Sequence, residues 1–229
     1  MSPLLAASWS SSSSTAVFPN DDRPDHVVTA DTIDDLAAIL GTGVNLAICP
    51  RVKEVRVPAE RALASVDDVA FTAAVGSVGP HILEALFVAG YEPAVIPTIA
   101  ADVAQLASCL GRIGDCASVD IRLDVIETDA CRKFHADFVS VRLICTYVGA
   151  GTQWLSNDAA ARLRAGADIG ALPIRQLATG DVALFKGRRW ADDGAIVHRS
   201  PPIAGTGARR LVLVIDPARE AQAADFDRA

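Results

Sequence analysis

From Ser118 onward apolar and polar positions alternate with a period of two. Val119, Ile121, Leu123 and Val125 interleave with Asp120, Arg122 and Asp124, the pattern of a strand with one buried face. The chain then continues in short apolar runs separated by turn residues. "FHADF", "VRLICTYV", "TQWL", "IRQL", "DVALFK", "AIVHR" and "RRLVLVID" each read as a strand, with a "GAG" turn after the second and a loop over Asn157 to Ala171. Many short strands at close spacing predict a sandwich or barrel.

Upstream of Ser118 the period is closer to 3.6. Asp31 fits a helix N-cap, Ile33, Leu36, Ile39 and Leu40 follow at helical spacing, and Gly41 and Gly43 close the segment. A short strand, "VNLAIC", begins at Val44. Pro58 to about Leu110 reads as mainly helical, broken at Gly76 to Pro80 and near Pro93 and Pro97. Its clearest helix is "IAADVAQLASCL", with Ile99, Val103, Leu106 and Leu110 on one face. Residues 1–29, serine-rich and then acidic, read as a tail, as do 218–229. The expectation is one α+β domain over 30–217, with a mainly helical part at 30–117 and a β core at 118–217.

Composition narrows the function classes. Half of the 229 residues are apolar, enough for one core. The best charge-free run, Val69 to Leu83, spans only about 15 residues and contains Gly76, Gly79 and Pro80, short of the roughly 20 a membrane span needs. A formal charge of -7 with no long basic run argues against binding a nucleic-acid backbone. The N-terminus lacks the basic and apolar regions of a signal peptide. Five cysteines without a CxxC pair then point to reduced thiols and a cytoplasmic protein.

The candidate chemistry lies in "CRKFHADFVSVRL", residues 131–143. On a strand, His135 and Asp137 project to the same side. Two histidines and a carboxylate suit Fe(II) and related divalent metals and leave coordination positions open. Of the remaining histidines, His26 lies in the acidic tail and His81 opens a helix. His198, on a strand about sixty residues after the pair, is the third candidate ligand. Arg209 and Arg210 head the last strand; neighbours on a strand alternate, so one faces inward, where a guanidinium can grip a carboxylate bidentately.

HxD at 135–137, "GAGTQWL" from Gly149, "GDVALF" from Gly180, His198 and "GARR" at 207–210 together resemble the core of the Fe(II)- and 2-oxoglutarate-dependent oxygenases. That resemblance implies a jelly-roll, cupin-like double-stranded β-helix barrel at 118–217 against a helical N-terminal half. It also implies metal ligation by His135, Asp137 and His198, anchoring of 2-oxoglutarate by Arg209 or Arg210, and oxygenase chemistry on an unassigned small-molecule or protein substrate. Val44 to Pro217 also resembles a bacterial family known as domain of unknown function 1826. Its members are associated with zinc-handling metallochaperone GTPases, which implies a non-catalytic alternative: a zinc- or iron-binding accessory protein with such a GTPase as partner.

The residues leave other readings open. His135 and Asp137 can satisfy each other or the backbone as a core pair. A zinc site can use the thiolate of Cys131 or Cys145 with His135. Arg142 and Thr146 can take part in anchoring a carboxylate, and Lys186 in "KGRRW" can steer an anion. The blandest reading is an interaction module whose helical half docks onto a partner, with no metal.

Overall fold

The structure is a computed structural model that describes residues 23–51 and 55–218. Among the described residues ten strands form two sheets. In chain order they are β1 Val27–Thr29, β2 Leu46–Cys49, β3 Val69–Ala74, β4 Ser118–Ile126, β5 Val141–Val148, β6 Gln153–Leu155, β7 Arg175–Gln176, β8 Val182–Lys186, β9 Val197–Arg199 and β10 Arg210–Pro217. The larger sheet has the order β1-β2-β8-β5-β10-β4-β3 and the smaller the order β7-β6-β9.

Alternation sorts the larger sheet into two faces. Val119, Ile121 and Leu123 of β4, Leu143 and Cys145 of β5, and Leu211, Leu213 and Ile215 of β10 face one core. There they meet two helices, α1 Val78–Val88 and α2 Ile96–Ile113. On α2, Ile99, Val103, Leu106 and Leu110 are all fully buried, each contributing roughly 1.5–3 kcal/mol. The opposite face carries Ile144 of β5, Ala183 and Phe185 of β8, and Val212 and Val214 of β10, which pack with Trp154 of β6 into a second core between the sheets.

The helical reading of the N-terminal half needs correction. Residues 69–74 form β3, the edge strand beside β4, and the segment after Asp31 is a 3-10 turn, Asp34–Leu40. Thr32, not Asp31, engages that turn, its hydroxyl donating to Asp35 Oδ2 at 2.7 Å. The end of the expected tail also joins the fold, because β1 pairs parallel with β2. His26, just before it, is buried. Its Nδ1 meets Asn45 Oδ1 at 2.5 Å and its Nε2 accepts from Asn157 N at 3.0 Å. Among the described residues no ladder joins the two sheets, so their strands form an open two-layer arrangement, not a closed barrel. The first 22 residues and residues 219–229, read as tails, lie outside the described residues. Among the described residues no helix is long and apolar enough to cross a membrane.

Candidate metal centre

The "FHADF" segment is not a strand. A single antiparallel bridge ties it to the edge of the smaller sheet: His135 N donates to His198 O at 3.0 Å, and His198 N to His135 O at 2.9 Å. Two residues on, the turn out of β8 grips the same segment. Arg188 N donates to Asp137 O at 2.9 Å and Gly187 N to Ser140 O at 2.8 Å. A Cβ at position 187 would run into the Val139 carbonyl and lie 3.0 Å from Asp137 O, so glycine is required for that approach. Backbone from two elements thus fixes His135 and Asp137 without a strand of their own.

One ligating atom each from His135, Asp137 and His198 lies within 4.8 Å of the other two. His135 Nδ1 lies 2.9 Å from Lys133 O and His198 Nδ1 3.4 Å from Ile196 O. A carbonyl only accepts, so both rings carry the proton on Nδ1 and turn Nε2 toward Asp137, an orientation suited to metal ligation. His135 Nε2 is 3.6 Å from Asp137 Oδ1, and His198 Nε2 is 3.2 Å from Asp137 Oδ2. With Nε2 free of a proton, each imidazole would offer a lone pair beside the carboxylate, a donor set that suits a divalent cation.

Asp137 Oδ2 is buried without a well-aligned hydrogen bond. Arg142 Nη1 nevertheless stands 2.7 Å from it, so the pair is electrostatic in character. Burial pushes the Asp137 carboxyl upward, but His135, His198 and the Arg142 charge outweigh burial and hold it well below the usual carboxylate range. The His135 imidazole is pushed up by its contact with Asp137, against the opposite pull of burial.

Of the two arginines at the head of β10, Arg210 faces inward. It is 1% exposed. Its Nε donates to Ala150 O at 2.6 Å and its Nη1 to Ser200 Oγ at 3.0 Å, while Nη2 reaches Thr146 and Thr152 hydroxyls at 3.4 and 3.5 Å. All of these partners are neutral, and among the described residues no carboxylate pairs with it. Burial lowers its pKa to about 10, leaving it charged at neutral pH. Arg209 faces outward to Glu127. Gly149, at φ 81, makes the close pass beneath them, since a side chain there would strike the Arg209 carbonyl.

The His135, Asp137 and His198 cluster and Arg210 share the inter-sheet side. Arg142, Ile144 and Thr146 lie on one face of β5, and Arg210, Val212 and Val214 on the matching face of β10. Four residues of β5, roughly 13 Å of strand, separate the Arg142 end from the Thr146 end. Between them stand apolar walls and Trp154, directly opposite His198 in register. Its Nε1 is buried and unpartnered. Sequence reasoning missed Trp154, Ser200 and Thr152; the period-two alternation around "TQWL" was the available signal for Trp154 and Thr152.

The other candidates fall elsewhere. All five cysteines are free. Cys145 lies on the helix-facing side of β5, where Arg51 Nη2 contacts its sulfur at 3.2 Å, and burial pushes its thiol up to about 12. Cys131 is exposed and outside the His135, Asp137 and His198 cluster. Arg142 is committed to Asp137 and Asp216. Lys186 is buried over the Trp190 ring, 4.8 Å from its centroid.

A family model matches residues 30–216, and the chain belongs to that family, described as protein of unknown function (DUF1826). Among curated proteins, none matches in sequence. Solved structures that it resembles include a rice dioxygenase for auxin oxidation (13% identity, 85% of this chain and 83% of that one, TM-score 0.44). Another is the Arabidopsis thaliana dioxygenase for auxin oxidation in complex with 2-oxoglutarate (10% identity, 74% and 68%, TM-score 0.41). A third is a prolyl-4-hydroxylase of Pseudomonas putida (11% identity, 82% and 100%, TM-score 0.42).

Proposed function

We propose that the protein is an Fe(II)- and 2-oxoglutarate-dependent oxygenase of the hydroxylase type. The observation that carries this reading is Arg210: a buried guanidinium with only neutral partners, on the same inter-sheet side as the His135, Asp137 and His198 cluster. A buried cation costs free energy unless an anion meets it. A metal-carrying protein would need the three ligands but has no use for that cation. The strand order supports a double-stranded β-helix core, with β4, β5, β8 and β10 in one layer and the His135 segment, β6, β7 and β9 in the other.

In this reading His135, Asp137 and His198 hold the metal, and Arg210 binds the distal carboxylate of 2-oxoglutarate, its natural bidentate partner. Fe(II) and 2-oxoglutarate together supply oxidation of a substrate C–H bond by dioxygen, with succinate and carbon dioxide as co-products. The chain's own contribution is placement. Its Nδ1 contacts fix the two imidazoles. Phe185, packed against the His198 ring, and Ile144, Val212 and Val214 of the same apolar core would keep water from the metal.

Succinate release from 2-oxoglutarate under air, with Fe(II) supplied, tests the reading. Slow turnover without added substrate, abolished in Asp137→Ala, is expected; iron-filled protein that releases no succinate would count against it.

A further inference from the structure

Asp137 belongs to a segment with no ladder of its own, yet its carboxylate must stay aimed between two imidazoles. We infer that Arg142, held by Asp216, is the positioning residue that fixes Asp137 for metal binding, a role that rests on the metal-site reading above. Arg142 Nε and Nη2 meet Asp216 Oδ1 and Oδ2 at 2.8 and 2.6 Å, a bidentate pair. The remaining nitrogen, Nη1, reaches Asp137 Oδ2 at 2.7 Å. All three side chains are largely buried, at 14–16% exposure.

The placement follows from the sheet. Ile215 pairs with Leu143 across β10 and β5, so Asp216 and Arg142, one step further, stand side by side on the inter-sheet face. The guanidinium is therefore anchored to two adjacent central strands of the larger sheet. Through Nη1 it ties the carboxylate of a short irregular segment to that rigid layer, while the backbone bridge at His135 ties the same segment to the smaller sheet. Lysine cannot make these three contacts, because an ammonium is a point charge without a planar fork.

Charge and positioning predict opposite effects. A guanidinium near a divalent cation repels it, so removing the charge alone would tighten metal binding. Losing the clamp lets the carboxylate turn away, and outer-shell losses of this kind typically weaken metal affinity about 10–100-fold. Replacing Arg142 and Asp216 together removes one positive and one negative charge, leaving the local sum unchanged and the clamp gone.

The test is Co(II) titration of the full chain, following the visible absorption spectrum and affinity in wild type, Arg142→Gln/Asp216→Asn and Asp216→Asn, with folding checked by circular dichroism. The double variant is expected to bind about tenfold or more weakly with an altered spectrum. Asp216→Asn, which keeps the Arg142 charge but loosens its anchor, should weaken binding less; since losing a nearby negative charge also weakens cation binding, its altered spectrum is the deciding readout should the double variant not fold. Wild-type affinity and spectrum in a folded double variant, or a wild-type spectrum in Asp216→Asn when only that folds, would overturn the positioning role. If wild type itself takes up no Co(II), the metal-site reading fails instead.

Discussion

His135 and His198 exchange both of their backbone hydrogen bonds, at 3.0 and 2.9 Å, although they lie far apart in sequence and His135 belongs to no strand. This one bridge brings their imidazole centroids to 4.8 Å. It converts two isolated histidines into one site, and Asp137 follows because the backbone beyond the bridge is gripped by Arg188 N.

Arg210 and Arg209 should separate cleanly on substitution. Arg210→Met is expected to weaken 2-oxoglutarate binding about 10–100-fold, the value of losing charged hydrogen bonds of roughly 1.5–3 kcal/mol, while metal content stays the same. Arg209→Met should change binding little, since its partner Glu127 is 49% exposed and surface pairs contribute about 0–1 kcal/mol. Calorimetric titration of 2-oxoglutarate into metal-loaded protein checks both.

The same arginine predicts a stability effect. Its pKa falls from the ordinary guanidinium value to about 10 on burial, so folding with the cation charged costs about 3 kcal/mol. The sign holds at neutral pH, where the guanidinium is protonated in both states, and the cost fades only as pH rises above about 10. Losing the charged hydrogen bonds to Ala150 and Ser200 costs about 1.5–3 kcal/mol each, which offsets or exceeds that relief, so ligand-free Arg210→Met should be no more stable than wild type and at most about 3 kcal/mol less stable. Added 2-oxoglutarate should then raise the melting temperature of wild type and not of the variant.

Metal binding should weaken as pH falls. Contact with Asp137 raises the His135 pKa above 6.5, and an imidazolium has no lone pair for a metal, so protons compete below that raised value. Metal-free stability runs the other way: the His135–Asp137 contribution is fully present below pH 6.5 and is lost as pH rises through the folded-state value. Affinity for Co(II) and metal-free denaturation midpoints, measured between about pH 6 and about pH 8, should therefore change in opposite senses.

His26→Ala should destabilise without touching metal affinity. It leaves Asn45 Oδ1 and Asn157 N without their buried partner, at about 1–3 kcal/mol. Urea denaturation beside a metal titration separates this structural histidine from the other two.

Buried on both faces for most of their length, β5, β8 and β10 were legible as short apolar runs between turn residues. Period-two alternation made β4 legible, because one of its faces is buried and side-chain pattern then follows the pleat. The same logic placed one arginine of 209–210 inward. It failed at Val69–Ala74, where Phe71 and Ala73 differ too little from their neighbours in polarity to reveal a strand between helical stretches. It also missed the helix α3 Asn157–Arg164, although Ser156 caps it by accepting from Ala159 N. The three residues that meet in the cluster were picked out by residue type and order. Arg142's attachment to Asp216 was not, since it depends on a register between strands that no local pattern encodes.

The most direct test of the proposed chemistry is anaerobic addition of 2-oxoglutarate to Fe(II)-loaded protein, followed by visible absorption. A charge-transfer band that saturates at stoichiometric 2-oxoglutarate and disappears in Asp137→Ala is predicted. Stoichiometric Fe(II) without such a band, or a band that survives loss of Asp137, would contradict it.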